Sequence, residues 1–114
     1  MKNIKLLVLL SLALLFASCE SKTYDEIGAK VLNPTYVANV APIVSNKCLS
    51  CHVTGNEFPT LETYAQVKEA TQNGNVICRI DTQSCGNVMP QTGRMDQGTI
   101  DLIKLWATNG YINQ

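Results

Sequence analysis

An all-α domain of helices and loops is the fold class that this sequence predicts. Apolar residues recur at three- and four-residue steps in three separate stretches, which is the spacing of one face of a helix. No two stretches are joined by the turn residues of a β-hairpin, and no segment is repeated along the chain. With 114 residues, the chain is long enough for one domain.

The start of the chain carries the pattern of an export signal. Lys2 precedes an apolar run from Leu6 to Phe16, and the small residues Ala17 and Ser18 follow, just before Cys19. The run is too short to span a bilayer as a stable helix. The pattern resembles a bacterial lipoprotein signal, in which Cys19 would become the lipidated N-terminus. An ordinary signal peptide that is cleaved nearby is the alternative.

This signal divides the chain into three expected parts. Residues 1–18 would be the lipoprotein signal peptide, residues 19–33 a polar membrane tether, and residues 34–114 the folded domain. The expected location is the bacterial periplasm or cell envelope, with the protein anchored to a membrane. The formal net charge is zero and no block of basic residues occurs, so nucleic acid is not an expected partner.

The first helix of the domain is expected to begin at Asn33, as the N-cap, and Pro34, as the first helical residue. Its apolar face extends from Val37 to Cys48. Pro42 lies inside this pattern and should kink or split the helix, because proline removes a backbone donor.

Two further helices are expected. Thr60 is the expected N-cap of the second helix, which should end at Asn73-Gly74. Residues 76–99 should be mostly loop. The last helix should begin at the N-cap Asp96 and end at Asn109-Gly110. Its buried stripe would consist of Ile100, Ile103 and Trp106.

A Cys-x-x-Cys-His pattern, formed by Cys48, Cys51 and His52, directly follows the first helix. This is the attachment signature of c-type haem, in which two thiols add to the porphyrin vinyl groups and the imidazole binds the iron. A redox Cys-x-x-Cys motif and half of a zinc site are the alternatives. One covalently bound haem c is therefore the expected cofactor.

The cysteine count favours the haem interpretation. Of five cysteines, Cys19 is assigned to lipid and two to haem, which leaves Cys78 and Cys85. Such an even pair is expected to form a disulfide in an exported chain. A zinc or thiol-redox interpretation does not divide the five so evenly. The chain is also short and has one tryptophan, so a bound haem would supply part of its core.

The sixth iron ligand is expected to be a methionine. The chain has a single histidine, which excludes two histidine ligands from one chain. Met89 precedes Pro90, which favours an extended loop that could reach a metal. Met95 precedes the N-cap Asp96, and its spacing to Ile100 is that of a hydrophobic staple. Met89 is therefore favoured, while Met95 and an open sixth position remain alternatives.

Three features in order resemble the small class I monohaem cytochromes c. They are a helix leading into Cys48–His52, the downstream Val88-Met89-Pro90, and a terminal helix that contains Trp106. The resemblance covers about residues 34–111. It implies a small cytochrome c-like fold of helices and loops wrapped around one haem, with His52 and Met89 as axial ligands. It also implies that the terminal helix packs against the first. The pair Cys78/Cys85 and the sequence after Met89-Pro90 depart from the family pattern.

The function that this resemblance implies is electron transfer by a protein that is not an enzyme. Outer-sphere transfer at a haem edge needs neither a small-molecule substrate nor a catalytic base. The expected partners are redox proteins and, through the lipid, a membrane. One alternative is a haem-based sensor or peroxidase-like enzyme with a labile sixth ligand. The other is a thiol-disulfide oxidoreductase that uses Cys48 and Cys51. Arg79 and Arg94 could neutralise the haem propionates, or could simply be solvated.

Overall fold

Helices and loops make up residues 31–114, the part of the chain that this computed structural model describes. No strand occurs in this range, so the predicted all-α class is confirmed for it. The expected signal peptide, the expected lipidation site Cys19 and most of the expected tether lie outside the described residues. Within them, no helix is long and apolar enough to cross a membrane. The elements are a π-helical turn Tyr36–Val40, α1 Ala41–Lys47, α2 Tyr64–Gln72, α3 Val76–Ile80 and α4 Gln97–Thr108.

The first helical segment begins later than predicted. Thr35 is the N-cap, and its hydroxyl accepts a hydrogen bond from the Ala38 N–H at 3.3 Å. The prediction of Asn33 as N-cap was wrong, because its side chain instead accepts a bond from the Asn109 amide at 3.4 Å. The predicted effect of Pro42 is confirmed. It lies in the first turn of α1, where the helical segment is divided into a π-helical turn and an α-helix.

Helix α2 also begins later than predicted. Its N-cap is Thr63 rather than Thr60, because Thr63 and Gln66 form a capping box that satisfies two backbone donors. The Gln66 side chain accepts from the Thr63 N–H at 3.0 Å. The helix ends with Asn73 as its C-cap, as predicted.

Helix α3 was not predicted. It is a five-residue helix, Val76–Ile80, in a stretch that was expected to be mostly loop, and no side chain caps its start. Helix α4 has the predicted boundaries. The Asp96 carboxylate accepts a hydrogen bond from the Thr99 N–H at 2.9 Å, and Asn109 is the C-cap.

Two buried clusters form the core. The tryptophan cluster consists of Val40, Val44, Leu61, Val67, Ala70 and Trp106. The isoleucine cluster consists of Ile80, Met95, Ile100 and Ile103. Helix α4 contributes to both, since its predicted stripe is buried along its whole length. The start of the first helical segment meets the C-terminal residues beside the tryptophan cluster, where the Tyr36 N–H donates to the Ile112 carbonyl at 2.8 Å.

Candidate functional site

A cavity of about 880 Å³ opens beside both clusters. Its walls come from the turn after α1, from α2 and α3, and from the loop between α3 and α4. It is lined by three predicted site residues, Cys48, His52 and Met89, and by the alternative ligand Met95. The volume falls within the range of about 300–1,000 Å³ that is usual for cofactor and ligand pockets.

The His52 ring is oriented by one hydrogen bond. Its Nδ1 lies 2.8 Å from the carbonyl oxygen of Pro59. A carbonyl can only accept, so Nδ1 is the donor, and in the neutral imidazole Nε2 then keeps a free lone pair. Metal-binding histidines commonly donate their other ring N–H in this way, which fixes both tautomer and orientation. The His52 carbonyl in turn accepts from the Leu61 N–H at 2.9 Å. The end of the following loop, at Pro59 and Leu61, is therefore held to His52 by two hydrogen bonds.

The two cysteines of the motif have different environments. Cys48 is the C-cap of α1, and its own carbonyl accepts bonds from the N–H groups of Cys51 at 3.1 Å and His52 at 2.9 Å. These bonds wrap the motif into a tight turn. Both thiols are free. Cys48 is half-buried on the cavity wall, whereas Cys51 is exposed and does not line the cavity.

The position of Cys48 keeps its thiol protonated. Burial raises the pKa of Cys48 above its ordinary value, because the thiolate would lose hydration. The residue also lies at the carbonyl end of α1, where the helix dipole disfavours negative charge. Reactive thiols of redox enzymes have the opposite setting, with a lowered pKa near a helix N-terminus or a cation.

Both candidate methionines reach the cavity. Met95 is 7% exposed and shares the isoleucine cluster with Ile100, as the staple spacing predicted. Met89 is half-buried and packs against the edge of the same cluster. The preference for Met89 as an iron ligand therefore stays a prediction.

The loop before Met89 is connected to α3. Cys78, on that helix, and Cys85 lie at disulfide-bonding distance, with their Cα atoms 5.8 Å apart, as the cysteine count predicted. Further along the loop, the Met89 N–H donates to the Arg79 carbonyl at 3.2 Å. The short helix that sequence analysis missed thus supports the loop that carries the favoured ligand.

The structure distinguishes Arg79 from Arg94, for which contact with haem propionates and simple solvation were the two alternatives. Arg79 lines the cavity. Arg94 does not, because its guanidinium binds the Gln97 side chain at 2.7 Å and the Asp81 carboxylate at 3.4 Å. Only Arg79 of the two therefore has access to a group bound in the cavity.

Two features of the site were not found from the sequence. The Pro59 carbonyl orients His52, but a backbone acceptor has no residue signature. Phe58, beside it, lines the cavity while remaining 89% exposed, and no periodic pattern marks it. A run of loop residues directly after a Cys-x-x-Cys-His motif is the one signal that could have directed attention there.

Within residues 31–114, no group of three or more His, Cys, Asp or Glu side chains is arranged to hold a metal ion. Comparisons with protein-family models, with curated proteins and with solved structures found no match to this chain.

Proposed function

We propose that this protein is a small class I cytochrome c, an electron carrier with one haem c attached covalently to Cys48 and Cys51. One observation carries the proposal. In a Cys-x-x-Cys-His turn, His52 commits Nδ1 to the Pro59 carbonyl and keeps Nε2 free, at the wall of a cofactor-sized cavity. Each part has other uses alone, but together they fit an attached haem with an imidazole ligand.

The residues present suit this cofactor. Free thiols at Cys48 and Cys51 could form the two thioether links, and His52 could bind one face of the iron. Met89, with Met95 as the alternative, could bind the other face, and a thioether ligand raises the reduction potential. Bound haem would supply a one-electron couple. The contribution of the chain would be to hold both ligands, so that the iron environment changes little on electron transfer.

The packing of the terminal helix adds support. Trp106 on α4 shares a buried cluster with Val40, in the first helical segment, and backbone hydrogen bonds join the start of that segment to the C-terminal residues. The resemblance to class I cytochromes c implies this contact between the first and last helices.

The thiol-disulfide alternative has less support. It requires a nucleophilic thiolate, whereas burial raises the pKa of Cys48 and the helix dipole opposes its charge. A sensor or peroxidase-like enzyme would need an easily opened sixth position. Two methionines on the cavity wall favour a carrier instead.

The test is the cofactor content of the protein, expressed together with haem-maturation machinery. We expect a pyridine haemochrome spectrum of c type and haem that remains attached after denaturation. Replacing both Cys48 and Cys51 by Ala should abolish attachment. The matched control, Cys78→Ala/Cys85→Ala, removes the other cysteine pair and should keep covalent haem. A native protein without haem would refute the proposal.

The proposal includes a membrane anchor at Cys19, which lies outside the described residues. Lipid there would hold the domain near redox partners in the same membrane and raise their effective concentration without tight binding. With Cys19→Ala behind a cleavable export signal, we expect a soluble haemoprotein with an unchanged spectrum. Its electron transfer to membrane partners should slow, while transfer to small soluble oxidants should not. Retention of this variant in the membrane would contradict the anchor.

A further inference from the structure

We infer that Arg79 is a positioning residue for Met89, and that it holds the ligand loop against α3 together with the Cys78–Cys85 pair. The inference rests on the proposed function, since it concerns the sixth ligand of a bound haem. It goes further by assigning a role to a residue that the motif does not include.

The segment before Met89 has little apolar burial of its own. Gly86, Asn87 and Val88 are all exposed, and Val88 is the one apolar side chain among them. Segments with few buried contacts open locally at small cost in free energy. The position of Met89 therefore depends on specific ties to the rest of the domain.

Arg79 provides ties on both sides of Val88. Its Nη1 donates to the Asn87 carbonyl at 3.0 Å, and its own carbonyl accepts from the Met89 N–H at 3.2 Å. Arg79 thus holds both Asn87 and Met89, the two residues that flank Val88. The first bond comes from a charged donor, which makes it stronger than a bond between neutral groups.

Gly86 allows the guanidinium to lie against the backbone. A Cβ built on Gly86 would be 3.4 Å from both Nη1 and Nη2 of Arg79. The φ of Gly86 is +105°, in a region that other residues rarely adopt. A Cβ at that distance would make van der Waals contact with the guanidinium, so it is the backbone angle that requires glycine at this position.

The cysteine pair ties the segment to the same helix. Cys78 precedes Arg79 and Cys85 precedes Gly86, so the bridge and the arginine hold adjacent positions. Among residues 31–114, Arg79 makes no ion pair with a carboxylate, whereas Arg94 does. The Arg79 guanidinium is thus available for the loop, and Arg94 offers a matched control.

The experiment measures how readily an added ligand displaces the thioether. Imidazole is titrated into the oxidised holoprotein, and binding is followed by loss of the far-red sulfur-to-iron charge-transfer band. Apparent affinity rises with the fraction of protein whose sixth position is open. We expect Arg79→Gln to bind imidazole about tenfold more tightly, the size expected for losing one hydrogen bond from a charged group. Arg94→Gln, which loses a surface ion pair with Asp81, should change the affinity far less.

Two further variants test how the segment before Met89 is held. Gly86→Ala should also tighten imidazole binding, and it serves if Arg79→Gln fails to fold. Cys78→Ser/Cys85→Ser should act in the same direction. When the double cysteine variant is combined with Arg79→Gln, the change in imidazole affinity should be smaller than the sum of the separate changes, because both act on one segment.

The outcomes separate the inference from the proposed function. Unchanged imidazole affinity in Arg79→Gln, with a normal haem spectrum, would overturn the inference alone. So would an equal effect of Arg79→Gln on imidazole affinity in a Met89→Leu background, where binding is followed by the shift of the Soret band because the thioether is absent. The arginine would then act on the cofactor directly rather than through Met89. Absence of covalent haem from the unsubstituted protein would instead refute the proposed function and the inference with it.

Discussion

The two core clusters differ in the interactions that stabilise them besides apolar packing. In the tryptophan cluster, the Trp106 ring is 0% exposed and its Nε1 donates to the Ile112 carbonyl at 2.9 Å. The Tyr64 hydroxyl donates to the Tyr111 carbonyl at 2.7 Å. Three tyrosine rings surround the indole, the nearest with its centroid 5.0 Å away. Apolar packing and satisfied polar atoms together make this half of the core complete.

The isoleucine cluster is smaller and depends on ties at the surface. Its four buried residues are supplemented by an ion pair between Lys104 and Asp81 at 2.6 Å, and by the bridge of Cys78 to Cys85. Members of both clusters line the cavity. The comparison teaches that the residues of the proposed site come from both halves, since Cys48 packs against the tryptophan cluster while Met89 and Met95 belong to the isoleucine side. The proposed cofactor would join the two.

Loss of the proposed haem should have the largest effect. Without haem, the cavity between the two halves would be filled by water, and a chain this short has little other apolar burial. We expect Cys48→Ala/Cys51→Ala protein to lose most of its near-ultraviolet circular dichroism and to melt without a sharp transition. A cooperative, native-like melt of this variant would show that the tryptophan half folds alone.

Trp106→Ala should have the second-largest effect. Truncating a fully buried tryptophan costs about 3–5 kcal/mol of unfolding free energy, because it leaves a cavity among the tyrosine rings. Guanidinium denaturation followed by circular dichroism measures this cost. Trp106→Phe, the matched control, keeps an aromatic ring and should cost less. An equal cost for both variants would show that the indole hydrogen bond, rather than packing, dominates.

The two methionines should separate the halves by function. Met95→Ala should cost about 2–3 kcal/mol, because the side chain is buried in the isoleucine cluster, but should keep the far-red band. Met89→Ala should cost less stability, yet lose the band and lower the reduction potential. Equilibrium denaturation and spectroelectrochemistry measure the two properties. Loss of the band in Met95→Ala alone would assign the ligand to Met95.

The sequence predicted helix α4 better than it predicted the other helices. The stripe of Ile100, Ile103 and Trp106 follows from periodicity, and the Asp96 cap follows from local chemistry. The start of α2 was misplaced by three residues, because Thr60 and Thr63 are both acceptable caps. Only Thr63 is followed three residues later by Gln66, which completes a capping box.

The candidate site was partly predictable. The Cys48–His52 motif specifies its chemistry, and both Met89 and Met95 reach the cavity. The contacts that orient these groups were not predictable. The Pro59 carbonyl and the Arg79 carbonyl are backbone atoms brought to the site by tertiary folding, and a five-residue helix has no periodic signal.

The smallest expected effect is on acid sensitivity. A hydrogen bond from Lys104, reinforced by its charge and that of Arg94, lowers the pKa of Asp81. Hydrogen bonds from Thr99 lower the pKa of Asp96. Both carboxylates therefore stabilise the fold fully above their unfolded pKa of about 3.9, and this contribution is lost as the pH falls through the lowered folded values.

Because Asp81 and Asp96 both support the isoleucine half, that half should weaken first in acid. Below about pH 4, we expect the far-red band to be lost at a higher pH than the near-ultraviolet dichroism of the tryptophan half. Asp81→Asn should weaken the band slightly at neutral pH and make its loss less dependent on pH. Asp96→Asn is the sharper control, because asparagine caps a helix as well as aspartate but does not titrate. If both signals disappear at one pH in every variant, the two halves unfold as a single unit and the acid-labile contacts are shared between them.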